Sequence, residues 1–295
     1  MDRSDDSREL DQDAAHSFVL DESAEAQQYR LHRRFDRIGR LVGDQGMAKL
    51  FASHVVVVGL GGVGSFAAES LARSGVGRLT LVDFDKVCVT NANRQVQATQ
   101  RAVGKAKAVV LAERVQDINP QVRVEGKVAF FSAATAEAIL GGPPPDFVVD
   151  AIDNISAKCQ LLAICHQRAI PVVCSTGASA RYDPTAIRVV DLAETKLDPL
   201  AGAVRRILRT KYDFPEKGPF GIPAVYSLET VQPPRELTYD KGRGFRCVCP
   251  GEKSDQHSCE ERAVIYGNAS FVTGAFGLAC ASVVVRGLCQ TLSDS

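Results

Sequence analysis

Apolar and polar residues fall in blocks along this chain, and the blocks set the predicted elements. His54 to Gly59 is a valine run, the mark of a strand covered on both faces of a parallel sheet. Helical periodicity follows from about Ser65 to Ser74, then a second strand over Arg78 to Asp83. An amphipathic helix over Lys105 to Ile118 is closed by Asn119-Pro120, and Val122 to Val124 reads as a short third strand. The turn Gly141-Gly142-Pro143-Pro144-Pro145 precedes a fourth strand, Asp146 to Asp150, and a helix from about Ser156 to Arg168 leads to a fifth, Ile170 to Ser175. Strands and helices in strict alternation predict the α/β class: a doubly wound, mostly parallel sheet with helices on both faces.

The two ends depart from this rhythm. Residues 1–30 read as a disordered acidic tail, and from Leu31 a basic cluster (Arg33, Arg34, Arg37, Arg40) opens a helix. The folded domain is expected over 31–295. After Gly177 the alternation fails: Ala186 to Leu192 reads as one more strand and Leu200 to Thr210 as a basic helix. Residues 213–262, rich in Pro, Gly and charge, read as a long excursion, within a C-terminal irregular insertion placed at 195–262. The stretch Ala269 to Leu288 is apolar enough to raise the question of a membrane span. It carries Ser270, Thr273, Gly274, Gly277 and Ser282, so a terminal helix returning to the core is the expectation.

Charge sharpens this division. The 35 basic and 35 acidic side chains of the 295 residues cancel, yet the tail holds nine acids against three bases. The rest of the chain is therefore at +6. Nine cysteines, an odd number with five inside apolar runs (Cys159, Cys165, Cys174, Cys280, Cys289), argue against a secreted disulfide framework and for a reducing, cytoplasmic compartment. Composition does not separate that from an organellar or membrane-associated one. Cys247, Cys249, Cys259 and His257 form one cluster, but Cys-x-Cys is a poor spacing for a tetrahedral metal, and no zinc site is predicted.

The chemistry begins at Gly59-Leu60-Gly61-Gly62-Val63-Gly64, which follows a buried strand and opens a helix. There, bare backbone and free helix N–H groups suit phosphates. Asp83 ends the next strand, where a carboxylate can accept ribose hydroxyls. These features alone suggest a nicotinamide cofactor. Asp85, Asn91, Asn93, Arg94, Lys105 and Lys107 then follow in quick succession, a set that hydride transfer does not need and that attack of a carboxylate on the α-phosphate of ATP does. Asp150 and Asp153 stand at the end of the fourth strand, either able to hold magnesium, and no Gly-Lys-Ser/Thr phosphate loop occurs.

In this order and spacing, Arg34-Phe35, the glycine run, Leu81-Val82-Asp83-Phe84-Asp85, Asn91-Ala92-Asn93-Arg94-Gln95, Lys107, Asn119-Pro120 and Asp150-Ala151-Ile152-Asp153-Asn154 resemble the adenylation domain shared by ubiquitin-activating enzymes and bacterial sulfur-carrier adenylyltransferases. Those branches carry paired Cys-x-x-Cys motifs or a catalytic-cysteine domain, and this chain has neither. Val87 to Gln95, Asp183-Pro184-Thr185, Asp191 to Thr195 with Asp198-Pro199-Leu200, and Tyr226-Ser227-Leu228-Glu229 are instead similar to the tRNA threonylcarbamoyladenosine dehydratases, from about Arg33 to Leu288.

That resemblance implies a Rossmann-like fold and a set of roles. Gly59, Gly61, Gly62 and Gly64 with Asp85 and Asn154 would frame ATP, Asp83 would bind its ribose, Asn91, Arg94 and Lys107 its phosphates, and Asp153 the magnesium ion. Arg37 would reach the ATP of a neighbouring subunit in a homodimer. The implied substrate is tRNA carrying threonylcarbamoyl-adenosine, whose threonyl carboxylate would be adenylated and then attacked from within its own side chain. Arg205, Arg206, Arg209 and Lys211 would meet the tRNA, with Tyr212, Phe214, Phe220, Tyr226 and Phe245 available for stacking on its bases. Some bacterial relatives have a cysteine where this chain has Ala224, so a covalent role for that cysteine does not apply here. A sulfur-relay partner is left open. The competing reading is an adenylyltransferase that activates the C-terminus of a ubiquitin-like or sulfur-carrier protein. An NAD oxidoreductase and a non-catalytic scaffold account for fewer of the residues.

Overall fold

The structure is a computed structural model that describes residues 31–239 and 265–290. The acidic tail, the Cys247/Cys249/His257/Cys259 cluster and Lys241, Arg243, Phe245 and Arg246 lie outside the described residues.

Seven strands form one sheet: β1 (His54–Val58), β2 (Arg78–Val82), β3 (Arg123–Lys127), β4 (Phe147–Asp150), β5 (Val172–Ser175), β6 (Ile187–Asp191) and β7 (Pro223–Ser227). Their order is β3-β2-β1-β4-β5-β7-β6, parallel throughout except that β6 runs antiparallel to β7. The helices are α1 (Asp36–Ala52), α2 (Gly64–Arg73), α3 (Lys107–Ile118), α4 (Ala136–Leu140), α5 (Ile155–Gln167), α6 (Pro199–Lys211) and α7 (Ser270–Gln290). This is the predicted α/β class, a doubly wound and mostly parallel sheet.

The valine run shows why β1 is central. Val55 and Val57 enter one core with Leu50, Leu71, Leu111 and Phe276 from α1, α2, α3 and α7, while Val56 and Val58 enter a second with Leu161, Leu162, Val204 and Leu208 from α5 and α6. Alternating side chains face opposite sides of the sheet, so a strand covered on both must be apolar at every position. From β1 the chain winds outward through β2 and β3, then crosses back to β4 on the other side of β1. The switch point lies beyond the carboxyl ends of β1 and β4, and in open α/β sheets ligands bind in the crevice at that place.

Two helices that border the crevice begin on side-chain caps. Asn154 Oδ1 accepts from Ala157 N at 3.0 Å to start α5, and Asp198 Oδ1 accepts from Ala201 N at 2.8 Å to start α6, with Pro199 in its first turn. The apolar helix α7 is long and apolar enough to cross a membrane by length and composition, but its Val272, Phe276, Cys280, Ala281 and Val284 are buried against α2, α1 and the strands, as a core helix requires.

The structure corrects three expectations. The third strand is longer than Val122 to Val124, because all five residues Arg123 to Lys127 pair with β2. The region read as an insertion contains β7, with four of its five residues buried, lying between β5 and β6 as an integral strand. A five-residue segment starting in proline and set among Pro, Gly and charge gives no periodicity to read. Third, Phe214, Phe220 and Tyr226 are buried, and Tyr212 packs against the α5–α6 core. Phe214 and Phe220 stack edge to face at 5.0 Å inside that core, so these rings hold α6 in place and do not offer faces to bases.

Candidate functional site

The glycine run does several jobs. Gly59 has φ +87°, and a Cβ there would lie 2.6 Å from Ala151 O; a Cβ on Gly64 would lie 1.8 Å from Gly59 O. Both positions are closed to any side chain by backbone. Gly62 faces Thr273 of α7, whose atoms would be 3.0 Å from a Cβ, whereas nothing lies within 4 Å of the corresponding point on Gly61. Gly59 and Gly64 thus let backbones pack, Gly62 makes room for the Thr273 side chain, and Gly61 presents bare main chain to the crevice just before α2, where helix N–H groups attract anions.

Polar side chains clamp this loop from below. Asp83, buried at the end of β2, accepts from Leu60 N at 2.7 Å through Oδ2 and from Asp85 N at 2.8 Å through Oδ1. Gln97, also buried, donates to Leu60 O at 2.8 Å. Lys107 is buried at the start of α3, and its Nζ lies 2.7 Å from Asp85 Oδ2 and 4.0 Å from Asp83 Oδ1. Burial works against its charge, but Asp83 and Asp85, with Asp153 adding to them, outweigh that and hold its pKa above the ordinary lysine value. The crevice therefore keeps a fixed ammonium at physiological pH.

The Asn-x-Asn-Arg segment lies beside it. Asn91 is buried and accepts from Cys88 N at 3.0 Å, shaping the tight turn Val89–Asn91, while Arg94 Nη1 donates to Thr90 O at 2.8 Å and to Asn93 Oδ1 at 3.0 Å. Asn93 Nδ2 donates to Asn268 O at 2.9 Å, which ties the segment to the approach of α7. At the exit of β4 the two aspartates separate by environment. Asp150 is fully buried, with Oδ2 on Lys158 Nζ at 2.7 Å and Oδ1 accepting from Ile152 N at 3.1 Å. Asp153 is exposed in the crevice, and Asn154 is committed to capping α5. Of the two, only Asp153 has a carboxylate without a hydrogen bond or ion pair among the described residues. One hard oxygen ligand, completed by phosphates and water, is the donor set magnesium takes in nucleotide sites, so the residues fit that ion.

Comparison with known proteins places the chain in a family. The model for the ThiF family matches residues 35–294. The tRNA threonylcarbamoyladenosine dehydratase of Escherichia coli is 39% identical over 258 residues, 86% of this chain and 92% of that protein; that of Haemophilus influenzae is 38% identical over 263 residues, 88% and 95% respectively. The chain belongs to the ThiF family, among its tRNA threonylcarbamoyladenosine dehydratases. The crystal structure of the Escherichia coli dehydratase in complex with ATP superposes with a TM-score of 0.76 at 35% identity, covering 90% of this chain and 97% of that one.

Within this ThiF fold the remaining expected residues divide. Arg37 is exposed near the start of α1, at the opposite end of the sheet: Arg34 beside it donates to Ile118 O at 2.9 Å, and Phe35 packs on Phe51 near Gly75. The structure does not bring Arg37 into its own chain's crevice. On α6, Arg206 and Lys211 are exposed, whereas Arg205 donates to Thr195 Oγ1 and Arg209 lies 5.0 Å over the ring of Phe220 while bonding Pro215 O at 3.2 Å. Ala224 is buried in β7 beside Cys174 of β5. Burial pushes the thiols of Cys165 and Cys280 up to about 12 and that of Cys159 up to about 11, so they are un-ionised core groups.

Three contributors escaped the sequence reading: Lys158 beneath Asp150, Gln97 beneath Leu60, and Thr273 against Gly62. Lys158 had a signal, as the one charged residue in the mostly apolar stretch Ile155 to Cys165. Gln97 and Thr273 had none, since each reaches its partner across the fold.

Proposed function

We propose that this chain dehydrates threonylcarbamoyl-adenosine in tRNA at the expense of ATP. The observation that carries the reading is the bare Gly61 backbone set beside the buried ammonium of Lys107 and the exposed carboxylate of Asp153 at the switch point of the sheet. A threonyl carboxylate oxygen attacks the α-phosphorus, the bond to pyrophosphate breaks, and an acyl-adenylate forms. A nucleophilic atom of the same side chain then attacks the activated carbonyl and gives up its proton, and AMP leaves. The net change in the nucleoside is loss of one water. Ring closure within one side chain already has a high effective concentration, so no enzyme nucleophile is needed.

In this reading the main chain at Gly61, the N-terminus of α2 that follows it and Lys107 receive the phosphates, and Lys107 exchanges its Asp85 partner for phosphate oxygens as charge builds during transfer. Asp153 would hold magnesium, which when bound neutralises phosphate charge. Arg94 borders the same phosphates, and Asp83 has lone pairs left for ribose hydroxyls while it braces Leu60. The basic face of α6 meets the tRNA, and Arg37 serves the ATP of a second subunit.

The test is to incubate the protein with ATP, magnesium and tRNA bearing the linear modification. A nucleoside lighter by one water in the mass spectrum, formed together with AMP, is the expected result. AMP formed only with a small protein ending in Gly-Gly would assign the adenylyltransferase reading instead.

A further inference from the structure

Lys158 is among the largest fully buried side chains of the described residues, and an ammonium is an expensive group to bury. Its Nζ meets Asp150 Oδ2 at 2.7 Å, the carbonyl of Ser175 at 2.9 Å and Cys174 Sγ at 3.7 Å, so it joins the carboxyl ends of β4 and β5 from within α5. Two further bonds carry this grip to the crevice. Asp150 Oδ1 accepts from Ile152 N at 3.1 Å, and Ala151 N donates to Val58 O at 2.9 Å. The turn from Ala151 to Asn154 is also where Gly59 packs, since a Cβ on Gly59 would strike the Ala151 carbonyl. The segment that presents Asp153 is thus held at its root by one buried ion pair and touches the glycine loop.

We propose that Lys158 is a positioning residue for nucleotide activation: it holds Asp150 so that the 151–154 turn directs the Asp153 carboxylate at the metal and phosphates. The inference rests on the adenylation reading for what the turn presents. Its mechanical half, that Lys158 fixes the turn, does not. A buried pair that served only stability could be replaced by apolar groups without altering the crevice. A positioning pair could not.

The experiment compares Lys158→Met with the full-length wild type by amide hydrogen exchange and by binding of Mn2+ with ATP, followed through the paramagnetism of the ion. The expected result is at least tenfold faster exchange at Ile152 with Val148 and Val149 unchanged, and at least tenfold weaker Mn2+ binding in the presence of ATP with metal-free ATP affinity unchanged. Wild-type exchange at Ile152 together with wild-type Mn2+ affinity would overturn the proposal. Should Lys158→Met raise exchange throughout, Asp150→Asn is the second variant. It keeps an oxygen for Ile152 N but loses the ionic grip on Lys158, and the same local loosening is expected; unchanged turn and metal affinity there would overturn the proposal equally. A wild type that binds no ATP would defeat the functional reading while leaving the exchange arm to decide whether Lys158 fixes the turn.

Discussion

At the scale of single residues, the glycine run separates two reasons for lacking a side chain. Gly64 must be glycine because a Cβ would sit 1.8 Å from Gly59 O, whereas Gly61 has open space around it and no positive φ. Gly64→Ala should cost about 2 to 3 kcal/mol through forced backbone displacement, or prevent folding. Gly61→Ala should change stability by less than about 0.5 kcal/mol and yet weaken ATP at least about tenfold, ~1.4 kcal/mol, by holding phosphate away from the main chain. Urea unfolding and ATP titration on the two variants measure both effects. A Gly61→Ala protein that binds ATP normally would remove that backbone from the phosphate site.

At the scale of elements, α7 shows how much one helix does. A Cβ on Gly277 would lie 2.4 Å from Val63 O and 2.9 Å from Ala67 N, while one on Gly274 would make ordinary contact with the Phe66 ring at 3.5 Å. The two glycines are one turn apart, and their alanine variants should move stability in opposite directions. Gly274→Ala should gain up to about 1 kcal/mol, the usual helix preference of Ala over Gly. Gly277→Ala should lose about 1 to 3 kcal/mol, because α2 cannot retreat without disturbing the glycine loop it starts from. Unfolding midpoints in urea at constant slope decide it.

The same scale shows what could be read from sequence and what could not. β1, β2, β4 and β5 were legible because a strand buried on both faces must be apolar throughout, and the glycine run was legible because it followed one of them. β7 was not, since it is a short segment whose place between β5 and β6, with a core on each face, depends on contacts from distant parts of the chain. Phe214, Phe220 and Tyr226 differ from expectation for the same reason: a phenylalanine in a charged stretch looks available until the fold turns it inward. Of the site, residue types that touch ligands announce themselves by chemistry. Those that hold them, such as Gln97 and Thr273, depend on contacts between distant segments that no local pattern records.

At the scale of the whole molecule, charge and symmetry decide how two chains and a tRNA would meet. Arg206 and Lys211 are the α6 bases that face solvent, while Arg205 and Arg209 are engaged with Thr195, Pro215 and Phe220. Arg206→Glu with Lys211→Glu should weaken tRNA binding and lower the slope of log affinity against log salt by about one for each phosphate the variant no longer neutralises, with ATP binding intact. Unchanged tRNA affinity at physiological salt would remove α6 from the interface. Arg37 poses the larger question, because it lies at the end of the sheet where the strands begin, away from its own crevice. A two-fold dimer would let each subunit's Arg37 serve the other's ATP. Arg37→Ala and Asp153→Asn should each abolish product formation as pure proteins. Coexpressed in equal amounts they should regain about a quarter of wild-type activity, since half of random dimers are mixed and each mixed dimer has one intact site. If Arg37 acts within its own chain, every site in the mixture lacks one of the two residues and nothing is regained. Restored activity would therefore place Arg37 in the partner's site, and silence from a mixture shown to contain mixed dimers would return it to its own chain.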